Sequence, residues 1–143
     1  MTADLASPRE GGCLCGAVRY RVHAKPFDSG YCHCRLCQKS SGAPTLVFAN
    51  VAWRDFEIVR GTPRCYRSTS FGARSFCGDC GTQLFMQVDD APDTVDFTVA
   101  SLDVPEAAPP GFHIWNSARI TWFDTDDVLP RFEAARPHPR PDH

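Results

Sequence analysis

Eight cysteines in 143 residues constrain this chain more than any other feature, because they fall in clusters. Cys13 and Cys15 stand in GGCLCG, Cys77 and Cys80 in CGDCG, and Cys32, Cys34 and Cys37 in YCHCRLCQKSSGAP, with Cys65 alone. Two thiolates on one tetrahedral zinc, each ~2.3 Å from the metal, sit about 3.8 Å apart. C-x-C and C-x-x-C loops reach that spacing if the backbone turns sharply, and glycine permits the turn. Gly11, Gly12 and Gly16 flank the first pair; Gly78 and Gly81 accompany the third cluster. The two pairs supply the four ligands of a closed structural site, Cys13, Cys15, Cys77 and Cys80, joining the start of the domain to its middle. Two disulfides, or thiols packed as small hydrophobes, are the weaker alternative.

That pairing leaves three thiols, Cys32, Cys34 and Cys37. Three protein ligands and one open position make a catalytic metal site, where water or a substrate thiol completes the set. The competing reading closes this site with a distant histidine. His33 lies between two ligands and is expected to project away from the metal; His113 is the better candidate, and equally suits a place beside the site. Cys65 alternates along a strand-like RCYRS and is read as a buried side chain rather than a ligand.

The size suits one domain able to bury a core without cross-links. A net charge of −2 argues against gripping nucleic acid. No run of 18 apolar residues suggests a membrane span, and MTADLASPREGG does not resemble a secretory leader. The expectation is a cytoplasmic protein without nucleic-acid or membrane partners. In a reducing compartment, dense cysteines point to metal or catalysis.

Short alternating runs predict strands near Ala17–Val22, Thr45–Asn50, Glu57–Arg60, Pro63–Arg67, Arg74–Phe76, Thr82–Gln87, Thr94–Ser101 and Ile120–Phe123. The one helix candidate is Arg35–Ser40. The first residues, to about 9–11, read as a polar lead-in. A single domain follows over 10–132, and 133–143 as a Pro-rich disordered tail. The fold class is mostly β: a folded sheet or sandwich of short antiparallel strands.

The ordered motifs GGCLCGAVRY, YCHCRLCQKSSGAP and FCGDCGTQLF, followed by VDFTVASLD, FHIW and DVLPRF, resemble the glutathione-dependent formaldehyde-activating enzyme family, also called the centromere-protein-V family. The resemblance spans about residues 10–132. It implies an Mss4-like fold with two zinc ions. Cys13, Cys15, Cys77 and Cys80 match the structural site, and Cys32, Cys34 and Cys37 the catalytic one. It implies a carbon–sulfur lyase joining glutathione, as co-substrate, and formaldehyde into S-(hydroxymethyl)glutathione, reversibly. The partners are thus a small-molecule thiol and an aldehyde. A thiolate is the reactive form of such a nucleophile, and metal coordination deprotonates a thiol outright. A metal already bearing three thiolates is electron-rich, so presenting a substrate thiolate suits it better than polarising a carbonyl.

Arg35 and Lys39 flank the three-thiol motif and are candidates for the carboxylates of a glutathione-like ligand, or for a solvated basic face. His113 is a candidate proton shuttle, or a structural histidine hydrogen-bonded near Trp115. Trp53, Trp115 and Trp122 read as core aromatics, and the aspartates at 89–93 and 124–127 as solvated loops. Two other functions compete with the lyase: a zinc-stabilised binding module with closed sites, and a redox protein cycling Cys77 and Cys80.

Overall fold

The structure is a computed structural model and describes residues 9–136. Two sheets form the body. The smaller has the order β1 (Arg9–Gly12), β2 (Arg19–Val22) and β5 (Phe56–Arg60). The larger runs β10–β3–β4–β9–β8–β7–β6, with β3 at Asp28–Cys32, β4 at Leu46–Ala52, β6 at Arg64–Thr69, β7 at Gly72–Phe76, β8 at Gln83–Val88, β9 at Thr94–Thr98 and β10 at His113–Ile114. Pairings are antiparallel except β10 beside β3. The expectation of a mostly β folded sheet or sandwich of short antiparallel strands therefore holds, as two sheets.

Alternation along β4 explains how the large sheet serves two cores. Ala49 and Val51 point into the main core between the sheets, with Tyr20, Val22, Phe56, Leu84, Phe85, Val95 and Phe97. Leu46 and Phe48 turn to the opposite face, where they meet Cys32, Cys37, Ile114, Phe112 and Phe132. Each large apolar side chain so buried contributes about 1.5–3 kcal/mol. In the main core, Tyr20 meets Phe56 edge-on at 4.9 Å, and its hydroxyl bonds Ser101 Oγ at 2.7 Å. The second core carries the three-cysteine motif, so the candidate site rests on packed apolar side chains.

Several local expectations change. Arg9–Gly12, whose first residues read as lead-in, is an edge strand paired with β2, because Gly11 and Gly12 fit where Tyr20 and Val18 press close. Asp28–Cys32, obscured by its serine and glycine, is a central strand. Ile120–Phe123 is not a strand: the Phe123 amide bonds the Ile120 carbonyl, turning the chain. Trp53, Trp115 and Trp122 are 40%, 41% and 76% exposed, so the core aromatics are Phe48, Phe56, Phe85, Phe97 and Tyr20 instead. Cys65 is exposed on edge strand β6. Of the tail, Arg136 is held by Asp28 at 2.9 Å and lies over Phe48 and Phe112; residues 137–143 lie outside the described residues.

Candidate metal centre

The two outer cysteine pairs meet. Cys13, Cys15, Cys77 and Cys80 hold their sulfurs within 4.8 Å of one another, and Cys13 Sγ lies 3.6 Å and Cys77 Sγ 3.7 Å from Cys15 Sγ. The backbone makes each pair a tight turn: Gly16 N–H bonds Cys13 O at 3.1 Å, and Gly81 N–H bonds Cys77 O at 2.9 Å. Both glycines adopt φ +82°, where a side chain is strained. Amides also aim at sulfur: Val18 N–H at Cys13 Sγ (3.2 Å), and Asp79 and Cys80 N–H at Cys77 Sγ (3.4 Å each). Such donors stabilise a thiolate. Thr82 Oγ1 joins the two turns, accepting from Leu14 N–H at 3.0 Å and contacting Cys80 Sγ at 3.2 Å. That hydroxyl, with backbone donors, draws the Cys80 thiol down to about 5.

The second group is Cys32, Cys34 and Cys37, again with sulfurs within 4.8 Å of one another. Cys32 ends β3, and the helix α1 (Arg35–Ser41) follows with Cys34 as its N-cap, its sulfur accepting from Cys37 N–H at 3.3 Å. The peptide groups are pinned: Thr45 Oγ1 donates to Cys32 O at 3.0 Å, Gln38 Nε2 to His33 O at 2.7 Å, and Ser41 Oγ to Cys37 O at 2.6 Å. Hydrogen bonds from Cys32 and Cys37 pull the Cys34 thiol down to about 2, whereas Cys34 and Cys37 push Cys32 up. A cation seated among the three sulfurs would favour their thiolate forms.

All of these thiols are free of disulfides. Both sets fit a soft metal ion by donor chemistry and by spacing. Among the described residues, one group offers four ligand atoms and the other three.

The histidines do not complete the second group. His33 and His113 are fully buried and face each other, His33 Nε2 lying 2.8 Å from His113 Nδ1. His113 Nε2 reaches the two Asp127 oxygens at 3.2 Å. Asp127 only accepts, because Thr125 Oγ1 and the Leu129 amide hold its carboxyl below the usual range. His113 therefore donates from Nε2 and accepts at Nδ1, and His33 donates from Nε2. Burial and His113 lower the His33 pKa to about 4, consistent with a neutral ring. Tyr31 stacks on His113 at 4.5 Å. Asp127, grouped from sequence with solvated loops, is an anchor of this chain of hydrogen bonds, and Asp124 pairs with Arg131 at 3.0 Å.

Arg35 bonds Gln38 Oε1 at 2.6 Å along the helix, and Lys39 is exposed. A different cation touches the sulfurs, Arg74 on β7. Its Nη2 lies 3.6 Å from Cys37 Sγ, and its Nη1 donates to Ser40 Oγ at 3.2 Å and meets Met86 Sδ at 2.8 Å. Nothing local in GARSF marks this residue; the β7–β8 register sets Arg74 opposite Met86. A cleft of about 440 Å³ separates α1 from the Cys80 turn, lined by Ser40, Ser41, Thr45, Thr82, Gln83 and Ser101 among others, none of them charged.

The model of the glutathione-dependent formaldehyde-activating enzyme family matches residues 8–118, which take in both cysteine groups. The chain belongs to this family. A Halomonas elongata relative, provisionally named a glutathione-dependent formaldehyde-activating enzyme, is 32% identical over 82% of this chain and 80% of its own. A Schizosaccharomyces pombe protein named only as an uncharacterized lyase is 30% identical over 53% of this chain and 55% of its own. The crystal structure of a Rhodobacter sphaeroides protein is similar at TM-score 0.56 and 26% identity, over 66% of this chain and 87% of that one. This family member thus shares its fold with that protein. No helix among the described residues is long and apolar enough to cross a membrane.

Proposed function

We propose that this member of the family is a zinc-dependent carbon–sulfur lyase that joins and separates an aldehyde and a thiol, with formaldehyde and glutathione as the substrate pair. Cys13, Cys15, Cys77 and Cys80 hold a structural zinc, and Cys32, Cys34 and Cys37 a catalytic one. The observation that carries this reading is the unequal ligand count: four sulfurs in one group, three in the other. A binding module would need no incomplete set.

Zinc bound to the three thiolates supplies one thing, a site where a substrate thiol is held as thiolate at neutral pH. The substrate sulfur attacks the aldehyde carbon. An S–C bond forms, the C=O π bond opens, and the oxygen takes the proton that the thiol released. The chain's own part is to hold its sulfurs rigid, through Thr45, Gln38 and Ser41 on the loop carbonyls, and to flank them with the uncharged cleft. Its hydroxyls and amide suit the peptide groups of a tripeptide thiol. Arg35 and Lys39 stand on the exposed face of α1, where they draw in anionic thiols. His113 is sealed inside, so any proton it relays passes through its partners His33 and Asp127.

The test is Cys34→Ser. It should abolish S-(hydroxymethyl)glutathione formation and one zinc equivalent while the circular dichroism of the sheet persists. Turnover surviving that zinc loss would refute the reading. In cobalt-substituted protein, glutathione should alter the charge-transfer bands of the three-thiol site; a spectrum unmoved by glutathione but moved by another thiol would reassign the substrate.

A further inference from the structure

Six described arginines pair with carboxylates: Arg19, Arg21, Arg67, Arg119, Arg131 and Arg136. Arg74 does not. It is half-buried, and it meets a thiol sulfur, a thioether sulfur and a hydroxyl. Sulfur is a weak acceptor, so a guanidinium with five donors keeps much of its capacity unspent. One of its nitrogens is 3.6 Å from Cys37 Sγ, and another bonds Ser40 Oγ on the cleft wall. The cleft itself contributes no charge. A cation therefore stands beside both the sulfurs that would hold a thiol and a wall residue of the cavity that would hold the rest of the substrates.

We infer that Arg74 is a catalytic residue of the three-cysteine site, donating hydrogen bonds to the aldehyde oxygen as that oxygen gains negative charge. This rests on the proposed carbon–sulfur chemistry. In the forward step the thiolate pair forms the S–C bond, and the C=O π pair moves onto oxygen. Arg74 stabilises that alkoxide without giving up a proton, since a guanidinium stays protonated. The proton released by the thiol then reaches the oxygen through solvent. In reverse, Arg74 stabilises the same alkoxide as the S–C bond breaks. The guanidinium also offsets the charge of three thiolates, which would otherwise repel the developing anion.

Arg74→Gln and Arg74→Lys, in zinc-loaded protein, test this with two readouts. The first is steady-state kinetics with metal content. Arg74→Gln is expected to lower kcat about a hundredfold, the usual effect of losing one oxyanion donor, with zinc stoichiometry and the thiol KM unchanged and Arg74→Lys recovering part of the rate. The second is independent of turnover: binding of ¹³C-formate, an oxyanion of the aldehyde's size, followed by line broadening. The native protein is expected to bind it at least tenfold more tightly than Arg74→Gln. An unchanged kcat, or a loss of zinc in step with activity, would overturn the assignment and leave Arg74 as a prop for Cys37. A rise in thiol KM alone would overturn it in favour of a substrate carboxylate anchor. If the native chain turns over no thiol–aldehyde pair yet binds formate through Arg74, the lyase reading fails and the anion site stands. If formate binding is also indifferent to Arg74, both fail.

Discussion

His33 Nε2 lies 2.8 Å from His113 Nδ1, across eighty residues of sequence, and both rings are sealed from solvent. The contact ties the loop of three cysteines to β10, which runs parallel beside β3 through His113–Tyr31 and Ile114–Cys32. His113→Ala would strand a buried donor on His33 and open a ring-sized hole against Tyr31. The expected loss is about 3 kcal/mol, from an unsatisfied buried group and a cavity together. Urea unfolding of zinc-loaded protein measures it, and a loss below ~1 kcal/mol would show that the pair is not holding the loop.

The same chain of contacts sets an acid dependence. The folded Asp127 carboxyl titrates below its ordinary value, held by Thr125, Leu129 and His113. A carboxylate lowered on folding adds stability above its unfolded pKa of about 3.9, and that stability is lost as pH falls through the lower folded value. Asp127→Asn should therefore be less stable than the native chain at pH 7, with the gap closing below about pH 4. Comparing both chains at each pH cancels metal loss, which they share. A gap that stays constant or widens towards acid would contradict the assignment.

The two cysteine groups should differ when a ligand is removed. Cys77 is buried in the main core, and its turn is bound to the Cys13 turn through Thr82 and Leu14. Cys77→Ser is expected to cost more than about 3 kcal/mol, because metal binding there is part of folding. Cys34→Ser should cost under ~1 kcal/mol, since serine is itself a good N-cap for α1. Thermal unfolding with zinc counted by mass spectrometry compares them; equal losses would mean that both sites hold up the fold.

Gly81 gives a cleaner backbone test. A Cβ there would meet nothing within 4 Å, so only its φ of +82° opposes a side chain. Gly81→Ala should lose about 1–2 kcal/mol from that conformation alone, read from the chemical-denaturation midpoint. A neutral result would mean that the turn tolerates another φ and that the metal, not the glycine, shapes it.

The cysteine groups were legible in the sequence because sulfur spacing within a C-x-C or C-x-x-C turn is decided over a few residues. Gly16 and Gly81 carry the conformations their positions suggested, and α1 starts at Arg35 as its pattern predicts. Counting pairs was enough to suggest that Cys13 and Cys15 join Cys77 and Cys80, and the sulfurs do meet. Burial was harder to read. Cys65 and the three tryptophans look like core residues, yet edge position leaves Cys65 in solvent and the tryptophans are partly or largely exposed.

What the sequence by itself determined is the local chemistry: which thiols cluster, where the backbone turns, and a mostly β body. Only the tertiary structure decided what surrounds those thiols. Arg74 comes beside Cys37 through the packing of β7 and β8 near α1. His33 turns from the three sulfurs towards His113, which in turn reaches Asp127, because β10 docks on β3. Such contacts depend on strand register and on elements folding back over long loops, and no short window of residues encodes either.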